Sequence, residues 1–258
     1  MKRLPLAKQG RLVYALSPFE KPRLRITSGE TVVLQTEDAF SGQVRKEGDR
    51  RDTITMPLGN PQTGPIYVEG AEAGDALAVH IIKLRPTIGQ GASRFPSWWW
   101  YIGTGRDASA ISEFLEAKVP HGTRICKIKG RQIHFNDQIT IPYEPMIGTI
   151  GTAPAIEAIS SELPGPHGGN MDLPDVKPGN TLYLPVNVPG ALLYAGDVHA
   201  AQGDGEICGT GIEMPSELTL RIDLVKHLNI SWPRIKSREY VVDPVNSGYG
   251  FDHRCRCN

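Results

Sequence analysis

The chain has 258 residues, with 28 Lys and Arg against 28 Asp and Glu, so its formal charge is zero before histidine is counted. That balance excludes an overall basic field for nucleic acid and an acidic bias toward disorder. Gly (28) and Pro (21) both exceed their usual shares of about 7% and 5%, and 40% of the residues are hydrophobic, a composition of short strands joined by many turns.

The opening Met1-Lys2-Arg3-Leu4-Pro5 leads into no apolar segment of signal-peptide length. No run approaches the roughly 18–20 apolar residues of a membrane span, so a cytoplasmic protein is expected. Strands are predicted at 23–27 and 31–36, with the turn Ser28-Gly29-Glu30 between them. Glu37-Asp38-Ala39-Phe40-Ser41-Gly42-Gln43 follows as an acidic loop, equally a ligand site or a solvated turn. Further strands are predicted at 65–68, 76–84, 123–128, 132–135 and 138–141, bounded by Gly, Pro, Asp or Asn. Between them, a glycine-bearing link at 88–93 precedes Trp98-Trp99-Trp100-Tyr101, a flap or a packed interface. Ile111, Phe114 and Leu115 give residues 107–118 helical spacing, and one further helical turn is expected at 155–159. An apolar strand-like run covers 181–194, and clear pattern is lost after residue 234. This gives an N-terminal β part at 1–100 with the acidic loop, a second β part at 101–233 with the site loops, and a divergent, possibly disordered tail at 234–258.

Two glycine-framed segments carry most of the chemistry. Gly165-Pro166-His167-Gly168-Gly169-Asn170-Met171-Asp172 precedes the apolar run, and Gly196-Asp197-Val198-His199 leads into Gly203-Asp204-Gly205-Glu206 after it. If the chain is extended there, Asp197 and His199 point to one face and suit a divalent cation. A hydrogen bond stiffening a turn is the bland alternative, and the acids Asp204 and Glu206 in the same hairpin favour the site. Gly168 and Gly169 let backbone N–H groups converge on a carbonyl oxygen, or simply make a tight turn. Asn170 could orient a substrate amide or cap that turn. Glu144 and Glu157 flank 146–151, and either is a general-base candidate, though most single glutamates are surface charges. His80, His121, His134 and His227 read as structural. Cys126 and Cys208 lie in apolar segments, where a buried thiol is ordinary. Cys208 beside Glu206 leaves open a metal-free nucleophile. Cys255-Arg256-Cys257 lacks zinc-site spacing. The chain has no Gly-x-Ser-x-Gly elbow, Walker loop or dinucleotide-binding glycine fingerprint.

Residues 60–75 (Asn60-Pro61-Gln62-Thr63-Gly64-Pro65-Ile66-Tyr67-Val68-Glu69-Gly70-Ala71-Glu72-Ala73-Gly74-Asp75), the segment 165–172, the run 182–217 and the acidic loop 37–43 together resemble the acetamidase/formamidase family. The likeness extends over roughly residues 20–225. It implies a mostly β fold, jelly-roll or β-sandwich with a barrel-like second part and few short helices. It also implies hydrolysis of a small linear amide, such as formamide or acetamide, to a carboxylate and ammonia. A divalent metal (zinc, with calcium as the alternative) and a homo-oligomer, a dimer favoured, are implied as well. On matching positions Asp38, Asp197 and His199 are the expected metal set, with Glu206 or Glu157 as acid–base residue and His167 as a nearby catalytic group. Gly168, Gly169 and Asn170 are the expected substrate-binding residues. The family continues into a longer helical C-terminal section, from which residues 234–258 depart. A lactam or other C–N substrate, chosen by the aromatic run, and a catalytically silent binding protein are the rival expectations.

Overall fold

The computed structural model describes residues 1–6, 12–49, 59–95, 122–206, 209–244 and 254–257. The expected helix at 107–118, the aromatic run at 98–101 and Cys208 lie outside them. The fold is mostly β, as the composition and the resemblance predict. Among the described residues the helical content is one short 3-10 turn, Asp204–Glu206.

Two large sheets meet in one core. The first has eight strands in the order Lys2–Leu4, Glu30–Thr36, Ser216–Val225, Ala76–Pro86, Thr181–Pro185, Arg234–Lys236, Val241–Pro244 and Arg254–Cys257. Ser216–Val225 alternates buried and part-exposed residues over most of its length, the signature of a sheet with one face on the core. Residues 234–236 and 241–244, where the sequence has no clear pattern, extend this sheet.

The second sheet has eleven strands and is centred on Leu193–His199. That strand runs antiparallel to Met146–Gly151, which pairs on its other edge with Gly168–Asn170. Its opposite side is covered by Gln62–Val68 and by Glu213–Met214. Leu77, Val79, Leu182, Leu184, Leu218 and Leu220 from the first sheet and Ile147, Ile150, Leu193, Ala195, Val198 and Met214 from the second belong to one buried cluster. Each sheet draws strands from both sides of residue 100.

Two expectations change. The run 181–194 is two strands, one in each sheet, joined by a crossing in which Ala191 and Leu192 take left-handed backbone. At 155–159 there is no helical turn: residues 155–157 bend, and Ile159–Ser160 pairs with Ala15–Leu16. The Met146–Gly151 strand went unpredicted because all six residues are buried, which erases the alternation that marks a strand.

Candidate functional site

Three neighbouring strands bring the two glycine-framed segments together. Thr149 stands opposite Asn170 on one side and opposite Gly196 on the other. Its hydroxyl lies 2.6 Å from Asn170 Oδ1 and 3.0 Å from Asp197 Oδ2. One residue earlier, the register sets Gly148 against Asp197. A methyl group on Gly148 would come within 2.6 Å of both the Asp172 and the Asp197 carboxylates. Glycine is required here because the Asp172 and Asp197 carboxylates occupy the space of a side chain. The Gly148 carbonyl also accepts the amides of Met171 and Asp172 at 3.0 and 3.2 Å, turning Asp172 inward.

His199 is the centre of the cluster. Its Nε2 lies 3.2 Å from Asp197 Oδ1, 3.1 Å from Glu213 Oε2 and 4.0 Å from Asp172 Oδ1. Glu213 arrives by register, directly across from His199, and its other oxygen accepts the Gly211 amide at 2.9 Å. Gly211 has no room for a side chain either: a Cβ would sit 2.6 Å from the imidazole. On the far side of the ring, Nδ1 is 2.7 Å from Gln202 Oε1. The Gln202 Nε2 donates to the Asp172 carbonyl at 2.6 Å, which leaves Oε1 as the atom facing the ring. An amide oxygen only accepts, so Nδ1 carries a proton; a protonated Nε2 donates to Asp197 Oδ1, and the ring that gives up that proton directs its Nε2 lone pair at the carboxylates.

Packing this many carboxylates together in the interior raises the cost of ionising them. Burial, then the Asp197 charge, pushes Asp172 up to about 7. Burial pushes Glu213 up to about 8, with the Asp197 charge adding to it and His199 opposing. Burial and the Asp172 charge hold Glu206 well above the ordinary carboxylate range. For Asp197, burial is overcome by His199 and the group stays below its usual value. For His199, burial favours the neutral ring, but the Glu213 and Asp197 carboxylates outweigh it and the imidazole sits well above its usual value. The cluster therefore calls for positive charge, from protons or from a cation.

The donor set fits a divalent cation. Asp172, Asp197 and His199 offer ligand atoms within 4.8 Å of one another, as do His199, Glu206 and Glu213. Asp172 Oδ1 and Glu213 Oε2 are buried without a hydrogen-bond partner among the described residues. Two orphaned carboxylate oxygens facing a correctly tautomerised imidazole are the arrangement a metal would complete.

The other expected site residues lie elsewhere. Asp38 is fully buried, but one oxygen accepts the amides of Phe40 and Gly42 and the other is paired with the Arg45 guanidinium. It enters neither candidate metal group. Glu157 is exposed in the bend at 155–157. Gly168 and Gly169 sit inside a strand paired on both edges rather than in an open loop. His167 is buried, its Nε2 has no partner among the described residues, and burial pushes it down to about 4.

Glu213 and Asp172 join the candidate cluster although the sequence alone assigns neither a role. The available signal for Glu213 was Gly211, two residues earlier in a glycine-bearing hairpin. Its pairing with His199 depends on a loop length that spacing alone does not give.

The sequence profile of the Acetamidase/Formamidase family matches residues 20–164 and 157–252. The formamidase of Methylophilus methylotrophus is 35% identical over 271 residues, covering 87% of this chain and 66% of that protein. The acetamidase of Yersinia enterocolitica superposes with a TM-score of 0.83 at 37% identity, over 94% of this chain and 74% of that one. A gamma lactamase from Delftia acidovorans has a TM-score of 0.77 at 21% identity, over 93% and 74%, a likeness of fold alone. The chain spans between 63% and 66% of the length of the curated relatives it matches. Among the described residues no helix is long and apolar enough to cross a membrane.

Proposed function

The chain belongs to the acetamidase/formamidase family, and from that premise we propose that it hydrolyses a small unsubstituted amide to a carboxylate and ammonia, at the His199 cluster. The observation that carries this reading is the His199 ring itself, tied at Nδ1 to Gln202 while Nε2 faces Asp197, Glu213 and Asp172. An imidazole held in that tautomer against carboxylates suits metal ligation.

Asp197 and His199 are the proposed ligands, joined by Glu213 and Asp172 in the place first given to Asp38. The imidazole nitrogen favours zinc, because calcium takes oxygen ligands. When bound, such a cation supplies Lewis acidity to a carbonyl and lowers the pKa of water.

The protein's own groups do the rest. Glu206 is the proposed acid–base residue: it is half-buried, whereas Glu213 is sealed in. A half-buried carboxyl group beside the cluster can carry a proton to the departing nitrogen. Asn60 Nδ2, 3.1 Å from Asp197 Oδ2, donates to that carboxylate and holds it in place. Asn170 is the proposed substrate-binding group.

The test is ammonia release from formamide and acetamide, and 4-aminobutyrate formation from 2-pyrrolidinone, before and after chelation, with zinc or calcium added back. Activity on the linear amides that disappears on chelation and returns with zinc supports the reading. Ring opening of 2-pyrrolidinone without ammonia from the linear amides moves the substrate to lactams. Full activity in metal-free protein overturns the cation, and neither ammonia nor 4-aminobutyrate under any condition overturns amide hydrolysis.

A further inference from the structure

We infer that Asn60 is a positioning residue, which fixes the amide of Asn170 with its NH2 group turned outward as a donor for the substrate's carbonyl oxygen. The inference rests on the amide-hydrolysis reading for its substrate, and on geometry for its polarity.

The orientation follows from one acceptor-only group. Asn60 Nδ2 lies 3.1 Å from Asp197 Oδ2 and 2.8 Å from Asn170 Oδ1. A carboxylate accepts and does not donate, so the NH2 end of Asn60 must face Asp197. The second hydrogen of the same NH2 is then directed at Asn170, whose facing atom must be its oxygen. Were Asn170 turned over, two NH2 groups would oppose each other. The same Asn170 oxygen then takes the one hydrogen of the Thr149 hydroxyl at 2.6 Å; a hydroxyl also accepts from an NH2, so the orientation is set by Asn60.

Asn60 is itself locked. Its amide donates to the Ala39 carbonyl at 3.1 Å, and its carbonyl accepts Gln62 Nε2 at 2.9 Å. Its φ is +51°, in the left-handed region that asparagine tolerates better than most residues. Asn170 is held by its strand pairing with Thr149. Both oxygen-side bonds of Asn170 are thus used, while its Nδ2 has no partner among the described residues on a side chain that is part-exposed. An oriented, unpaired amide donor beside the cluster is suited to a carbonyl oxygen that gains negative charge as the C–N bond is attacked. Asp197 thereby sets substrate recognition through Asn60, two side chains away.

The test uses the full chain as wild type, Asn60→Gly, Asn60→Asp and Asn170→Asp. Glycine keeps the left-handed backbone at position 60. Aspartate there presents oxygens to Asn170 and draws its NH2 inward, so a folding failure of one variant leaves the other informative. Steady-state constants are measured on acetamide and thioacetamide, whose sulfur is a poor acceptor. Nitrogen-15 NMR follows the Asn170 side-chain NH2 pair, identified by its loss in Asn170→Asp, during titration with acetate.

Asn170→Asp should lower kcat/KM on acetamide by roughly 100-fold or more, the scale of a lost oxyanion donor. Both Asn60 variants should lower it about tenfold, as for a misaligned group, with a much smaller loss on thioacetamide. In wild type, acetate should shift the Asn170 NH2 resonances. Equal losses on the two substrates, or acetate that binds without moving that NH2 pair, would overturn the inference. If no amide is turned over but acetate shifts the pair, the donor orientation stands and the hydrolytic reading falls.

Discussion

Glu213 Oε2 lies 3.1 Å from His199 Nε2 because an antiparallel register sets the two residues directly across from each other. A buried carboxylate oxygen with no hydrogen-bond partner among the described residues thereby faces the ring nitrogen that a cation would take, because the Gln202 contact keeps the proton on Nδ1 when the ring is neutral. Removing Glu213 takes away a ligand candidate, and removing Gln202 takes away the tautomer. Glu213→Ala and His199→Ala should therefore lose bound zinc outright. Gln202→Ala should keep the site but weaken zinc by roughly 10–100-fold, the usual effect of losing a ligand's supporting hydrogen bond. Zinc content after dialysis and zinc affinity by competition with a chromogenic chelator check this. Unchanged zinc binding in all three variants would return the cluster to a structural role.

Asp38 and Asp197 are both buried acids, yet their surroundings ask different things of them. Asp38 is saturated by Arg45 and two backbone amides, and the next residue's carbonyl holds the amide of Asn60. Asp38→Ala should cost about 2 kcal/mol of stability, below the full value of a buried pair because Arg45 is 35% exposed. Metal content should not change. Asp197→Asn should show the opposite pattern, a small change in urea midpoint and loss of zinc. Zinc lost from Asp38→Ala at full fold would restore that residue to the metal set.

His167 reports on the fold through pH. Its ring is buried, and its pKa falls from 6.5 to about 4. Between those values the unfolded chain holds a proton that the folded chain rejects, so stability falls as pH drops through that window. Below about pH 4 both states are protonated and this contribution levels off. The loss should total about 3 kcal/mol, or about 1.4 kcal/mol per pH unit within the window. Urea unfolding of His167→Gln between pH 7 and 4 should show a slope shallower by one proton. An identical slope would mean that the ring is solvated or paired in solution.

Much of the fold was legible in local pattern. Glu30–Thr36 and Ala76–Pro86 announce themselves by β-branched and apolar runs between turn residues. Met146–Gly151 does not, because a strand buried on both faces and carrying two glycines has no period to read. The site divides in the same way. Asp197 and His199 stand two apart on one strand, so local spacing predicts that they meet. Asp172 and Glu213 join them only through pairings across the sheet. The same limit applies to Asp38: an acid at a strand end beside a glycine looks like a ligand, and only the fold shows that Arg45 is paired with it.

The glycines that leave room for the cluster give the sharpest contrast between neighbouring substitutions. At Gly148 an added methyl would collide with Asp172 and Asp197 at 2.6 Å, and with the Asp197 carbonyl at 3.0 Å. The carboxylates can relieve that collision only by moving away from His199. At Gly211 the methyl meets the imidazole itself at 2.6 Å. At Gly203, in the same hairpin, nothing lies within 4 Å and φ is not left-handed. Gly148→Ala and Gly211→Ala should each lower amide turnover by at least 100-fold, as expected when reacting groups move by about 1 Å. Gly203→Ala should leave turnover and zinc content unchanged. If Gly148→Ala binds zinc and turns over acetamide like the wild type, Asp172 and Asp197 do not act together on a shared ligand, and the cluster assignment fails at its first pair.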